Sequence, residues 1–230
     1  MEVKRLTFVE HLEELRSRLI KSIIFLIIAS CISYAFKDII LDFVVRPVGK
    51  LVFIAPQEAF ITNIKIAFLA GLYLSLPFLL YEVWGFISVG LKGKEKKYAL
   101  IFGLFSFINF VLGILFGYFI IVPIGMRFLL SFSRDFIVPM LSMGRYISFI
   151  GTLTFVSGVI FELPIAILFL TKIGVVTPGF LSKNRKYAIV IIFIIAAIFT
   201  PPDIITQCLM AVPLMGLYEL SIVLSRFVRR

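Results

Sequence analysis

Six apolar stretches alternate with short charged segments along this chain. They cover about 19–36, 66–89, 98–123, 148–171, 187–200 and 204–222. Runs of roughly 17–25 apolar residues suit helices that cross a hydrocarbon core about 30 Å thick. The pattern therefore predicts an all-α polytopic membrane protein, with 1–230 as one integral membrane domain. Six transmembrane helices are expected to form a concave bundle. Pro77 interrupts the second stretch and Pro164 the fourth, while TPPD alone separates the fifth from the sixth. The last two stretches are short. Tyr187 to Thr200 is 14 residues, and Ile204 to Tyr218, before Glu219, is 15. At about 1.5 Å per residue they reach only about 21 and 22 Å. Either the bilayer thins beside them or they do not reach the far face; the plainer reading packs them inside a larger assembly.

The polar segments set the orientation. One side carries sixteen Lys and Arg, among them Arg16, Arg18, Lys92, Lys94, Lys183 and Arg226; the other carries seven over longer loops. The positive-inside rule puts both termini in the cytoplasm. The outer loops DIILDFVVRPVGKLVFIAP and MRFLLSFSRDFIVPML read as amphipathic caps lying along the interface. No cleavable leader is expected, because the first apolar run follows the charged EHLEELRSR without a small-residue cleavage site.

Composition agrees with lipid as the solvent. The chain is 61% hydrophobic, with a mean hydropathy of +1.10, where an average soluble chain is nearer ~45–50% apolar. A net charge of +10 suits anionic lipid or an acidic partner. Its scatter in short clusters between spans disfavours nucleic acid. Cys31 and Cys208 lie inside apolar stretches without metal spacing and read as packing residues.

Within SGVIFELPIAIL, Glu162 stands among aliphatic residues near the middle of the fourth stretch. An acid at a helix centre costs about 2.5–3.5 kcal/mol on insertion scales. Pro164 follows two residues later and leaves the carbonyl of Ile160 without its helical donor. An acid and a bare carbonyl within one turn imply a wet or protein-lined surface. The plainer alternative is a carboxyl bonded to a neighbouring helix, through Gln207, Asn109 or a serine. At the cytoplasmic side, Thr7 and Glu10 form a capping box that starts a helix. Its apolar stripe is Leu12, Leu15 and Leu19. Glu14 can pair with Arg18 at i,i+4, worth only about 0.2–0.5 kcal/mol. His11, the one histidine, reads as a surface residue. Glu95 is the lone acid of GLKGKEKKY, either a local charge balance or an exposed acceptor for a cationic ligand.

HLEELRSR before the first span, VWGFISVGLKGKEKKY after the second, FELP in the fourth and FTPPDIITQCLMAVP between the last two occur in order. Together they resemble TatC, the multi-spanning subunit of the twin-arginine protein translocase, over nearly the whole chain. The resemblance implies six spans with cytoplasmic termini in the cytoplasmic membrane. It also implies binding of folded precursors through a twin-arginine signal peptide, single-span TatA- and TatB-type partners, further TatC copies and drive by the proton-motive force. By the same resemblance, Glu14, Glu95, Phe86 and Arg16 belong to the signal-peptide site, Glu162 is the acid of the fourth span and Asp203 the acid of the outer turn. Asp203 reads more simply as a cap on the last helix. Guanidinium meets carboxylate as a planar fork that lysine cannot copy, so two separated acids can each take one arginine.

A proton-coupled secondary transporter using Glu162 is the competing reading. The lack of an internal repeat and of charge pairs within the spans weighs against it. No cofactor, metal site or catalytic constellation is expected: the histidine is outside the spans, the aspartates lie at their edges, and there is no phosphate-binding loop.

Overall fold

The computed structural model describes residues 8–89, 96–133, 139–200 and 203–228. Ten α-helices and a π-helical turn make up most of them. In chain order these are α1 (Phe8–Ala35), α2 (Lys37–Val45), α3 (Pro56–Val89), α4 (Lys96–Phe116), the π-helical turn Gly117–Ile121, α5 (Val122–Leu130), α6 (Met143–Phe161), α7 (Leu163–Lys172), α8 (Pro178–Lys183), α9 (Arg185–Phe199) and α10 (Ile204–Val228). Among the described residues, five helical segments are long and apolar enough to cross a membrane: Val9–Ala35, Pro56–Val89, Ile101–Leu130, Met143–Lys172 and Ile204–Val228. The remaining apolar helix, α9, corresponds to the fifth stretch and has 15 residues. The all-α membrane architecture read from the sequence is the one found.

Several boundaries differ from the apolar pattern, each for a local reason. The second span's helix starts at Pro56, not near 66. Proline is preset for a first helical position, Glu58 in the first turn suits the positive end, and Lys65 is accommodated by donating to Ser148 Oγ at 2.9 Å. The third span does not end at 123. Pro123 has no N–H for the carbonyl of Phe119. The ladder slips by one residue, with Val122 N–H bonding Gly117 O, and the helix continues as α5 to Leu130. MRFLL is thus helix end, with Arg127 in its last turn, instead of a separate cap.

The sixth helix is a correction. It is not short: α10 has 25 residues. The apolar count stopped at Glu219, but that acid pairs with Arg185 at 2.8 Å, both half exposed, so the helix carries it without a break.

Contacts divide the chain into two units, Met1–Phe107 with Met140–Ser148, and Ile108–Pro139 with Phe149–Arg230. In the first, α1 lies along α3. A Cβ added at Gly71 would stand 2.5 Å from Ser30 Cα, so glycine sets how closely the two backbones cross. Phe25 stacks on Phe78 with centroids 4.4 Å apart. Near the start of α3, Glu58 accepts from Ser142 Oγ, from Gly144 N–H at 2.8 Å and from Ile54 N–H at 2.7 Å. One carboxylate thereby ties the segment before α3 to the segment entering α6. Much of α1 is apolar and exposed, including Ile20, Ile23, Ile24, Ile27 and Ile28; lipid is the solvent in which that face is not a liability.

In the second unit Ile160, Ile192, Met210, Leu214 and Ile222 form the centre of a packed core. A small-residue seam brings α4 and its π turn against α6. Added Cβ atoms at Gly113 and Gly117 would stand 2.5 Å from Ser157 O and 3.0 Å from Thr154 Cα. Such close approach supplies packing where no hydrophobic drive between helices exists.

Candidate functional site

The first unit holds a carboxylate–guanidinium cluster at the α1–α3 contact. Arg18, on α1, donates from Nε to Glu14 Oε1 at 2.8 Å. Its Nη2 lies 2.6 Å from the same oxygen. From Nη1 it donates to Glu82 Oε2 on α3 at 2.9 Å. All three guanidinium nitrogens therefore face carboxylates. The two acids differ in surroundings: the Glu14 side chain is 37% exposed and that of Glu82 only 8%. Gly85, one turn after Glu82, makes the room, since a Cβ there would stand 2.2 Å from Arg18 Nη1. Phe86 is next in line and stacks on His11 of α1, with centroids 4.4 Å apart and planes at 21°.

Beside this cluster is a cavity of about 630 Å³ walled by Arg18, Tyr81, Trp84, Ser88, Leu104 and Phe107, with other apolar side chains. Trp84, which lines the cavity, is buried and stacks on Phe102 of α4 at 5.9 Å. The result is a mostly apolar groove with a charged cluster at one wall.

The sequence-derived residues fall as follows. Glu14 and Phe86 come to the same helix pair, Glu14 beside Arg18 and Phe86 beside His11. Arg16 is exposed. Glu95 and Thr7 lie outside the described residues. His11 is more than a surface residue, because it packs flat on Phe86. The reading that the spans hold no charge pair is corrected: Glu82 lies inside the second apolar stretch and is ion-paired. Its signal was present in YEVWGF, where an acid, a glycine and an aromatic follow at i, i+3 and i+4, but its partner is 64 residues away.

In the second unit Glu162 sits where the fourth span breaks into α6 and α7. Its N–H bonds Val159 O at 3.1 Å and its carbonyl accepts from Ala166 N–H at 2.9 Å. Pro164, in the first turn of α7, removes the donor for Ile160 O, which is the break the sequence predicted. Glu162 Oε1 is sealed from solvent. Gln207 donates to Phe193 O at 3.1 Å, joining α10 to α9. Asp203 accepts from Thr206 N–H at 2.7 Å and from Thr206 Oγ1 at 2.5 Å; it caps α10.

Comparison with known proteins places this arrangement. The family model of the Sec-independent protein translocase protein TatC matches residues 10–213. The Sec-independent protein translocase protein TatC of Carboxydothermus hydrogenoformans is 44% identical, over 100% of this chain and 96% of its own. That of Aquifex aeolicus is 42% identical, over 96% and 95%. Among solved structures, the crystal structure of the twin arginine translocase receptor TatC superposes with a TM-score of 0.86 at 41% identity, covering 96% of this chain and 100% of the other. The chain belongs to the TatC family: it is a membrane-embedded protein translocase component and not an enzyme.

Proposed function

We propose that the chain is the signal-peptide receptor and core subunit of the twin-arginine translocase in the cytoplasmic membrane, with both termini cytoplasmic. The observation that carries this is the cluster of Glu14, Arg18 and Glu82, in which two carboxylates already hold every nitrogen of one guanidinium. A surface that binds its own arginine in this way has the acceptors and spacing to bind a peptide's. Glu14 takes one arginine of the pair and Glu95 the other. Phe86 and Arg16 line the approach, and the neighbouring groove accepts apolar side chains that follow the pair. Glu162 and Gln207 provide a polar stop within the apolar spans, where the inserted peptide or a partner span is met. TatA- and TatB-type single-span subunits and further copies of this chain complete the machine. Its energy comes from the proton-motive force, since moving one charge through 100 mV supplies about 2.3 kcal/mol.

The test is a binding titration of the purified protein with a twin-arginine signal peptide and its twin-lysine counterpart, repeated with Glu14→Ala and Glu95→Ala. The reading requires preference for arginine that either substitution removes. Equal affinity for both peptides in the unmodified protein contradicts it.

A further inference from the structure

We infer that Arg18 is a resident stand-in for the peptide's arginine and that Glu82 is the residue that lets it step aside. The inference rests on the receptor reading and adds a positioning residue to it. The argument starts from an asymmetry. Arg18 shares its guanidinium between an acid that is 37% exposed and one that is 8% exposed. An exposed pair is weak because water and salt compete with it. Separating a buried pair leaves an uncompensated charge in a poor solvent. The Glu14 half of the cluster is therefore the half that exchanges, and the Glu82 half is the anchor.

Charge and geometry agree. Two carboxylates around one guanidinium leave a net single negative charge, so the cluster is neutralised by one incoming cation and not by two. Both Arg18 contacts on Glu14 go to Oε1. The cavity-side opening beside Arg18, walled by Tyr81, Trp84 and Ser88, gives the displaced side chain room while Nη1 stays on Glu82. Gly85 keeps that position open, since any Cβ would crowd Nη1. A guanidinium from the peptide then replaces a guanidinium on Glu14, like for like. Without Glu82, the displaced Arg18 would have no carboxylate to keep, and displacement becomes harder. The resident arginine lowers the affinity for every cation by the same factor, as expected when the competent state is only part of the population. Weak, single-point ligands such as a lysine then fall to low occupancy, while the preference for arginine itself comes from the fork that guanidinium offers a carboxylate.

Peptide titrations of the full-length protein test this, with thermal unfolding recorded for each variant. Glu82→Gln is expected to weaken binding of the twin-arginine peptide by roughly five- to tenfold, the size of one typical net hydrogen bond. Arg18→Gln/Glu82→Gln removes the stand-in and its anchor together and leaves the net charge unchanged; it is expected to bind the peptide tighter than the unmodified protein. Arg18→Lys keeps the charge but loses the fork, and it too is expected to bind tighter. Binding by the double variant or by Arg18→Lys that is no tighter than that of the unmodified protein overturns the inference, and so does unchanged or tighter binding in Glu82→Gln. Failure of the receptor reading is distinct: the unmodified protein would then bind the twin-lysine peptide as well as the twin-arginine one.

Discussion

His11 and Phe86 lie face to face on α1 and α3, with ring centroids 4.4 Å apart. The stack fixes the Phe86 ring near the acid cluster. Aromatic pairs of this kind are worth about 0.5–1.5 kcal/mol beyond the area they bury. Phe86→Ala is therefore expected to lower both the unfolding temperature and the affinity for a twin-arginine peptide, while Phe86→Tyr stays close to the original in both. Unchanged peptide affinity in Phe86→Ala would remove Phe86 from the site.

The crossing of α1 and α3 depends on Gly71. An added Cβ would meet Ser30 backbone at 2.5 Å, which no rotamer change relieves. Gly71→Ala is expected to destabilise the protein by about 1–3 kcal/mol, the usual size of overpacking. Gly216, in α10, has nothing within 4 Å of its Cβ position. Gly216→Ala is expected to be neutral or to stabilise by up to about 1 kcal/mol through helix propensity. Thermal unfolding of the two variants in one detergent measures both. Equal effects would contradict the packing described.

Asp203 serves α10 as its cap, through two bonds from Thr206. Asp203→Ala is expected to cost about 0.5–2 kcal/mol, whereas Asp203→Asn or Asp203→Ser keeps most of the stability. An unfolding midpoint that does not move in Asp203→Ala would mean the cap contributes nothing and the acid is there for another task.

Some of this was legible in the sequence because its causes are local. The break of the fourth span follows from Pro164, whose missing N–H acts on a carbonyl four residues away. The cap on α10 follows from one aspartate before an apolar run. Other features depend on partners far along the chain. Arg18 finds Glu82 across 64 residues, and Arg185 finds Glu219 across 34. A reading by apolar windows saw Glu82 as part of a hydrophobic stretch and Glu219 as the end of one. Helix packing turned the first into half of a buried ion pair and let the second sit mid-helix. The same limit hid the start of α3: the second apolar stretch begins at about 66, just after Lys65, whose acceptor Ser148 is 83 residues away.

Glu162 divides the two stages of the proposed process. It lies far along the chain from the cluster, at the α6–α7 break, with an oxygen sealed from solvent. Glu162→Gln is expected to leave peptide binding at Glu14 intact and to reduce crosslinking between the peptide's apolar stretch and α6, α7 and α10. Crosslinks unchanged from the original protein would rule Glu162 out of the deeper stage.

The central claim is that the peptide's arginines meet the carboxylates at the α1–α3 contact. A photoreactive residue placed next to the arginine pair of a signal peptide tests this most directly, with the crosslinked position read by mass spectrometry. The account predicts crosslinks on α1 around Glu14 and on α3 around Phe86, lost when the arginines become lysines. Crosslinks confined to α9 or α10, or equal yield from both peptides, would contradict it.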